Sequence, residues 1–581
     1  MTETTVYESI LAVDVGAIHT RAYLFEMVED KFRYIAQGSS RTTAGAPMLD
    51  IMPGVLEAVR ELESITERKF IDPAERLLIA KTMEGNGVDG LAATISAGPD
   101  VKVICAGLLA NLSLESAEHL AVTSDARVCD YISASDKRKP DAQVDSFLKI
   151  LPDIVILAGG TELGASRSVQ TVLETIQVAS SLLPRDKRPE ILFAGNSALA
   201  ERVKNSVGTL APVTFTSNIR PSPESESLDP AQGIFAEMAA RVKYRQVTGA
   251  INLNQMTGNK MMLTSASFGR MIRFLGKAYT SRSGVLGIDL GSTHTTLATG
   301  KNNRLSMLRQ RWAGDFDTLA AYRGTPRELQ QWIRLVVTDE QVKDYLLNKS
   351  AYPAGIPSTD EELAIEYALT SFRLRQALLS ASKSYPHLNL VQGAGLNFGF
   401  EPVIVSGTMM TGAPSAEHCL MMILDGLQPA GITTVVLDQN NILPVLGACG
   451  QLSPAMPVDV LNSGVMQNLC TVISPVSRGK LGSTLLRARL TLATTEEIQM
   501  EIRQGDFLAI PLEYGQTAKL QLETEPHTDL GLRRSGKGIS LRVSGGSLGL
   551  VFDARGRPVR IPDDADERRE KLKSWFSALS A

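Results

Sequence analysis

The sequence predicts an α/β fold that contains an internal duplication and ends in a β-rich segment. Short apolar runs that end in glycine alternate with longer segments of helical periodicity, which is typical of buried strands in a sheet covered by helices. One strand-and-turn pattern occurs twice, at residues 10–25 (ILAVDVGAIHTRAYLF) and 285–300 (VLGIDLGSTHTTLATG). From Gly479 onward, apolar and polar residues alternate with period two, which indicates antiparallel strands.

Individual elements follow from local patterns along the chain. Strands are predicted for apolar runs that close on glycine or asparagine, at residues 153–160, 190–196 and 402–407. A helix is predicted where four apolar side chains share one face, at Val169, Val172, Leu173 and Ile176. A longer helix is predicted to begin at residues 358–361, which have a capping-box pattern, and to continue to Ser382.

The length of 581 residues is too great for one ordinary hydrophobic core, so we predict three parts. Residues 1–245 are predicted to form a first lobe that contains the first copy of the doubled motif, and residues 246–475 a second lobe that contains the second copy. Residues 476–581 are predicted to form a mainly antiparallel β domain that folds independently. This domain is predicted to end in a helix, because apolar residues recur at helical spacing at Leu572, Trp575, Phe576 and Leu579.

Composition argues against several classes of function. Hydrophobic residues make up 44% and charged residues 21%, as in an ordinary globular protein, and the formal net charge of −4 predicts no binding to nucleic acid. The five cysteines never form a Cys-x-x-Cys pair, so neither a thiolate metal site nor a disulfide framework is expected. Residues 1–9 lack the pattern of a signal peptide and no apolar run is long enough for a membrane span, which predicts a cytoplasmic protein.

The doubled motif combines residue types that bind phosphate and a cation. A strand that ends in aspartate and turns through glycine places a carboxylate beside backbone amides that a phosphate can approach. Mg²⁺ usually meets such carboxylates through water, so two of these loops are expected to hold a nucleotide polyphosphate and its Mg²⁺ between two lobes. The residues concerned are Asp14, Gly16 and Thr20 in the first copy and Asp289, Gly291, Ser292, Thr293 and Thr295 in the second.

A purely structural explanation of the doubled motif stays open beside the chemical one. Asp-x-Gly is a common turn, and a duplication can persist without any retained chemistry. The two explanations differ in what they predict for Asp14 and Asp289. If the loops form a phosphate clamp, both carboxylates are expected at one cleft, with Gly407 and Gly412 on its wall.

A series of motifs occurs along the chain in one order: VDVGAIHT, SAGPDVKVICAGLLANLSLESAEHLA, PDIVILAGGTELGA, ILFAGN, IDLGSTHTT, WAGDFDT, VIVSGTMMTGAPS and LDQNNILPVLGA. This order resembles the superfamily of sugar kinases, actin and heat-shock chaperones. Within it the chain is most similar to the glutamate mutase L family, the ATPase-like companions of an adenosylcobalamin-dependent mutase. The resemblance covers residues 10–465.

The resemblance implies a two-lobed actin-like fold, which is a duplicated ribonuclease H-like fold that binds ATP or ADP with Mg²⁺. It implies that Asp14 orients the water shell of the metal and that Asp289 holds the metal or the attacking water, so both are candidate catalytic and metal-binding residues. It also implies that Gly407 and Gly412 belong to an adenosine-type glycine motif.

By this resemblance the chain is expected to be an ATP-binding chaperone or reactivating factor for a partner protein, with a cobalamin-dependent mutase as the candidate partner. Departures from the family pattern at Ser292, Thr296, residues 98–100 and residues 408–411, which separate Gly407 from Gly412, leave open whether ATP is hydrolysed or only bound. Two alternatives also stay open, a nucleotide-binding scaffold of the actin type without significant turnover and a small-molecule kinase. The sequence does not indicate the oligomeric state.

Overall fold

The structure is a computed structural model that describes residues 7–162, 164, 167–279, 283–312, 326–393, 395–492, 496–532 and 538–580. Up to residue 279 the strands and α-helices are β1 (Ser9–Val15), β2 (His19–Val28), β3 (Lys31–Arg41), α1 (Met52–Thr66), β4 (Gly90–Ile95), β5 (Val101–Gly107), α2 (Glu115–Ala121), β6 (Ala126–Ser133), α3 (Pro140–Ile150), β7 (Ile154–Leu157), α4 (Arg167–Leu182), β8 (Glu190–Phe193), α5 (Ala200–Val207), β9 (Val213–Phe215), α6 (Asp229–Gln246), α7 (Ala250–Met256), β10 (Met262–Leu263) and α8 (Thr264–Ala278).

From residue 283 the elements continue as β11 (Gly284–Leu290), β12 (His294–Lys301), β13 (Arg304–Arg311), α9 (Pro326–Gln330), α10 (Asp339–Ala351), α11 (Asp360–Ser384), β14 (Val391–Gln392), β15 (Gly395–Leu396), β16 (Phe400–Ser406), α12 (Thr408–Thr411), α13 (Ala416–Leu427), β17 (Gly431–Leu437), α14 (Leu443–Cys449), α15 (Met456–Asn462), β18 (Gln467–Ser474), β19 (Val476–Ser477), β20 (Thr484–Thr491), β21 (Glu497–Arg503), β22 (Phe507–Ile510), β23 (Thr517–Thr524), β24 (Thr528–Asp529), β25 (Ile539–Ser544), β26 (Leu550–Asp553) and α16 (Ala565–Ser577).

The chain divides into two compact units. The first contains the chain up to Arg270 together with Met307–Arg309 and Pro444–Val460, and the second contains Met271–Ser306, Gln310–Leu443 and the chain from Leu461. This division differs from the predicted boundaries after residues 245 and 475. The first boundary differs because β10 pairs in parallel with β4, so the chain beyond residue 245 still contributes to the sheet of the first unit.

The first unit contains two five-stranded sheets. One has the strand order β10-β4-β1-β2-β3, and β1 is antiparallel to β2 and parallel to β4. The other has the order β6-β5-β7-β8-β9, with neighbouring strands parallel throughout. The helix face that was predicted on α4 packs into the core of this parallel sheet and is confirmed, with Val169, Val172, Leu173 and Ile176 all buried.

The second unit contains an eight-stranded sheet, five strands of which repeat the order of the sheet that contains β1. Its order is β13-β12-β11-β16-β17-β18-β26-β22. The interior strand β11 is antiparallel to β12 and parallel to β16, as β1 is antiparallel to β2 and parallel to β4. The next pairs, β16 with β17 and β4 with β10, are parallel in both units. The predicted duplication and the α/β class are therefore confirmed by strand order and direction.

The residues after 475 contribute to three of the described sheets, one of which is the two-stranded pair of β19 and β24. The alternating segments form a four-stranded antiparallel sheet in the order β21-β20-β23-β25, which confirms the predicted antiparallel strands. In contrast, β26 pairs in parallel with β18 and β22 pairs with β26, so these two strands extend the eight-stranded sheet. Alternation indicates which face of a strand is buried, but it does not indicate which sheet the strand joins.

Limited proteolysis tests whether residues 476–581 fold independently, as the sequence predicts, or depend on the sheet that they share with β18. Cleavage between residues 465 and 485 is expected to leave two fragments that remain associated in size-exclusion chromatography, because β18 hydrogen-bonds to β26. Mild denaturant should separate the fragments only when it also unfolds the eight-stranded sheet. Fragments that elute apart as folded species would show that the C-terminal segment is a domain of its own.

The long predicted helix is α11. It begins at Asp360 and ends at Ser384, and the Thr359 side chain accepts a hydrogen bond from the backbone N–H of Glu362 as its N-terminal cap. The cap lies within the predicted segment at residues 358–361. Over the described ranges, no helix combines the length and the apolar character that crossing a bilayer requires.

Candidate functional site

Each copy of the doubled motif forms a hairpin closed by the same backbone hydrogen bond. In the first loop, residues 16–19, Gly16 N donates to His19 O at 3.0 Å. In the second loop, residues 291–294, Gly291 N donates to His294 O, also at 3.0 Å. The registers of the flanking strands are equivalent as well. The two loops therefore have the same local geometry, one in each unit.

The carboxylate of Asp14 is buried at the end of β1 and held by two hydroxyl groups. Thr94 Oγ1 donates to Asp14 Oδ1 at 2.7 Å, and Thr264 Oγ1 donates to the same oxygen at 2.9 Å. The other oxygen, Oδ2, lies 3.9 Å from the position that a Cβ on Gly16 would occupy, so it faces the first loop. Burial raises the pKa of Asp14 above its ordinary value, and the hydrogen bonds from the two threonines oppose that rise.

Thr20 supports the first loop from inside the protein. Its side chain is buried, and its Oγ1 lies 2.9 Å from Thr42 Oγ1. Thr42 Oγ1 donates to the backbone oxygen of Gly16 at 2.8 Å, so the Thr20 hydroxyl is the donor to Thr42. The hydroxyl that the sequence suggests as a phosphate donor is therefore engaged in a chain of hydrogen bonds that braces the loop.

The second loop places its predicted residues in three environments. Asp289 is half-buried in β11, Gly291, Ser292 and Thr293 lie in the turn, and Thr295 is buried at the start of β12. Thr293 Oγ1 lies 2.8 Å from His294 Nδ1. Ser292 Oγ lies 2.9 Å from Thr408 Oγ1, so the loop is joined directly to the glycine motif of the same unit.

Gly407 is packed against the aspartate of the second motif. A Cβ at Gly407 would lie 2.6 Å from Asp289 Oδ1 and 2.4 Å from the carbonyl carbon of Leu290, and its φ is +95°. Gly412 ends the short helix α12, where its N–H donates to the Thr408 oxygen at 3.0 Å. The structure thus brings Asp289, Ser292 and Gly407 together, with Gly412 one helical turn further along the chain.

A buried polar network behind Gly407 was not singled out from the sequence as part of the site. Asn441 Oδ1 accepts from Gly407 N at 2.7 Å. Asp438 accepts from the backbone N–H groups of Ile442 at 3.0 Å and Leu443 at 2.9 Å, and its Oδ2 lies 3.1 Å from Ser406 Oγ. The motif LDQNNILPVLGA contains Asp438 and Asn441, so polar residues directly after an apolar run were the available signal. In the motif WAGDFDT, residues 313–318 lie outside the described residues.

Gly407→Ala is expected to destabilise the second unit by about 3 kcal/mol or more, because it adds a steric overlap to a backbone conformation that alanine rarely adopts. Gly399→Ala is the matched control, since Gly399 also has a φ of +95° but no atom of the described residues lies within 4 Å of the added Cβ. This control should cost roughly 1–2 kcal/mol. Urea unfolding measures both. Equal losses would mean that contact with Asp289 and Leu290 is unimportant.

Comparison with known proteins identifies the family. A model of the family described as MutL protein matches residues 10–465. The chain belongs to this family. Protein MutL of Clostridium tetanomorphum is 24% identical over 305 residues, which cover 51% of this chain and 59% of that protein. The match to this curated MutL relative therefore spans less than two thirds of its length.

Solved structures give more distant similarities. An acetone carboxylase in a nucleotide-free structure is 11% identical with a TM-score of 0.34, and the match covers 86% of this MutL-family chain and 81% of that chain. Xylulose kinase from Bifidobacterium adolescentis is 12% identical with a TM-score of 0.26, with 78% and 93% covered. Both TM-scores are below 0.5, and the duplicated topology rests on the strand order and registers within this chain.

Proposed function

We propose that this MutL-family chain binds Mg·ATP or Mg·ADP through both Asp-x-Gly loops and acts on a partner protein as a chaperone or reactivating factor. The observation that carries the proposal is the equivalence of the loops. In both units the same hydrogen-bonded turn follows an aspartate, Asp14 or Asp289, at the end of an interior strand of a sheet. A repeated carboxylate beside a repeated glycine turn is what a bound metal–phosphate group requires on the protein side.

The first unit offers a carboxylate that is oriented to meet a hydrated cation. Both threonine hydroxyls bind Asp14 Oδ1, which leaves Oδ2 directed at the loop. At the tip of this loop Ala17 is exposed, so its backbone is accessible to a phosphate. Bound Mg²⁺ would neutralise phosphate charge and polarise the terminal phosphoryl group. Asp14 would orient the water shell of that ion.

The second unit offers a compact set of small and hydroxyl-bearing residues. Ser292 and Thr408 place two hydroxyl groups side by side, and both can turn a proton toward a phosphate oxygen. Gly407 leaves no side chain over Asp289 and is held by Asn441, which suits close passage of a nucleoside. Asp289 would hold the metal or orient an attacking water, while Gly412 would extend the same backbone surface.

The partner role rests on family membership and on the resemblance to glutamate mutase L. A factor of this kind would use the binding of ATP, with or without its hydrolysis, to change the state of a partner enzyme. An adenosylcobalamin-dependent mutase is the partner that this resemblance suggests. The chain after residue 465, which the family model does not match, includes strands that complete the sheet of the second unit.

Calorimetry of the full chain tests the nucleotide proposal. ADP and ATP should bind with a stoichiometry of one nucleotide per chain, and binding should be tighter with Mg²⁺ than with EDTA. Release of phosphate, measured in the same samples, separates an ATPase from a protein that only binds. Lack of any heat of binding at millimolar ATP and Mg²⁺ would leave the doubled motif as a structural duplication.

A second experiment addresses the partner. The chain, purified from its own cells with bound proteins retained, should bring down a mutase that mass spectrometry identifies. Addition of Mg·ATP should change the amount of mutase retained, whereas Mg²⁺ alone should not. Recovery of envelope or cell-division proteins in place of a mutase would favour the scaffold alternative.

A further inference from the structure

We propose that Thr94 and Thr264 are positioning residues for the metal-binding carboxylate of Asp14, and that a buried ion cluster centred on Asp125 holds Thr264 in place through its neighbour Ser265. This inference rests on the proposed nucleotide function. It assigns roles to residues that lie outside the doubled motif. All of these residues belong to the first unit.

The two threonines fix the orientation of the carboxylate. Thr94 lies on β4 directly beside Asp14 in the parallel register, and Thr264 begins α8. Each hydroxyl has one proton to donate, and both protons go to Oδ1. Two donors on one oxygen prevent free rotation of the carboxylate group. Oδ2 is consequently held toward the first loop, where a hydrated Mg²⁺ would meet it.

The residue after Thr264 is tied to a second buried carboxylate. Ser265 Oγ donates to Asp125 Oδ1 at 2.7 Å. Lys243 Nζ lies 3.2 Å from Asp125 Oδ2, and both side chains are fully buried. Because Thr264 and Ser265 are consecutive, the hydrogen bond to Asp125 restrains the backbone that carries the Thr264 hydroxyl.

Arg309 adds a second cation to the ion cluster. Arg309 bridges Asp125 and Asp100, with Nε 3.2 Å from Asp125 Oδ1 and Nη1 3.0 Å from Asp100 Oδ1. Two carboxylates and two cations are thus buried together, which makes the cluster rigid, because moving any member exposes an unpaired charge.

This arrangement separates metal binding from nucleotide binding. Asp14 is proposed to reach the nucleotide only through the metal and its water. Loss of a hydroxyl that donates to Asp14 Oδ1 should therefore lower the affinity for the metal in the nucleotide complex. It should lower the affinity for the nucleotide without metal much less. Removing hydrogen-bond partners of metal ligands typically lowers metal affinity by about 10- to 100-fold.

The test measures the binding of Mn²⁺, which replaces Mg²⁺, to the full chain saturated with ADP. Electron paramagnetic resonance detects the free and the bound ion. Thr264→Val should lower the affinity for Mn²⁺ by about 10-fold or more. Thr264→Ser, which keeps the hydroxyl, should restore wild-type affinity. Thr175→Val is the matched control, because Thr175 is a buried threonine on α4 whose hydroxyl donates to the Thr171 backbone oxygen at 3.3 Å, in a different sheet layer from Asp14. It should leave Mn²⁺ affinity unchanged.

Two further variants guard against misfolding and test the connection to Asp125. Thr94→Val should lower the affinity for Mn²⁺, as Thr264→Val does. Ser265→Ala, which introduces no new charge, should lower it by several-fold. Affinity for ADP in EDTA should stay within about twofold of wild type in all of them, since the loop itself is intact. Wild-type Mn²⁺ affinity in both threonine-to-valine variants, or failure of Thr264→Ser to restore it, would overturn the positioning role. Unchanged Mn²⁺ affinity in Ser265→Ala would overturn the role of the ion cluster. Absence of any ADP binding by the wild type would instead refute the proposed function.

Discussion

Arg555→Met is expected to lower the free energy of unfolding by about 3–5 kcal/mol, because it leaves two buried carboxylates without their shared cation. Arg555 is fully buried, with Nη1 2.7 Å from Asp425 Oδ1 and Nε 2.8 Å from Asp553 Oδ1. Its guanidinium also lies 4.8 Å from the ring centre of Phe507 and 4.9 Å from that of Trp575. A whole domain is commonly stable by only about 5–15 kcal/mol, so this loss is large.

The charge state of Asp553 shows why the cation matters. Burial alone would raise the pKa of this carboxyl group, but the guanidinium groups of Arg555 and Arg557 hold it well below its ordinary value. Asp553 is therefore ionised in the folded protein and depends on both arginines. Methionine has a similar length but supplies neither charge nor donors. Asp553 would keep Arg557 at 2.9 Å, whereas Asp425 would lose its ion pair with Arg555.

Urea unfolding, followed by circular dichroism, measures this effect. Arg503→Met is the matched control, because Arg503 lies on β21 with 59% of its side chain exposed and pairs with Glu501 at 3.1 Å on the surface. This variant should change stability by less than about 1 kcal/mol. An unfolding midpoint for Arg555→Met equal to that of Arg503→Met would contradict this prediction. It would show that the ion pairs of Arg555 with Asp425 and Asp553 do not stabilise the second unit.

Asp14→Ala and Asp289→Ala are each expected to lower the affinity for Mg·ATP by about 30- to 150-fold. A hydrogen bond to a charged group typically contributes roughly 2–3 kcal/mol to the free energy of binding. The effect should shrink when EDTA replaces Mg²⁺, since both carboxylates are proposed to act mainly through the metal. Asp14→Asn should resemble Asp14→Ala in this assay. The amide can still accept from Thr94 and Thr264 but it removes the negative charge.

Calorimetry with matched surface variants tests this pair. Asp186→Ala in the first unit and Asp344→Ala in the second remove exposed aspartates from the same two units. Both should bind Mg·ATP like the wild type. A loss with only one of Asp14 and Asp289 would mean that a single loop binds the nucleotide. Full affinity in both variants would remove the chemical explanation of the doubled motif.

Local features of this protein were predictable because their stabilising contacts are close in the chain. The bond from Gly16 N to His19 O closes within four residues, and the same holds for Gly291 and His294. Strand, aspartate, glycine and hydroxyl residues therefore appear together in the sequence. The core face of α4 was equally accessible, because helical spacing alone places four apolar residues on one side.

Other features of the candidate site depend on contacts that no local pattern contains. Thr94 is 80 residues from Asp14, and Thr264 is 250 residues from it, yet both donate to the same oxygen. Thr20 has the residue type of a phosphate donor, but its burial and its bond to Thr42 give it a bracing role. Residue type and spacing therefore identified the loop, but not the direction of each hydroxyl.

By itself, the sequence determined the α/β class, the duplication and the family, because strand periodicity, the paired Asp-x-Gly turns and the order of motifs are all written along the chain. Only the tertiary structure decided that β26 lies beside β18, that Arg555 joins Asp425 to Asp553, and that Asp125 restrains Ser265. The physical reason is that periodicity indicates which side chains avoid water, whereas the choice of a hydrogen-bond or ion-pair partner depends on which distant segment packs against them.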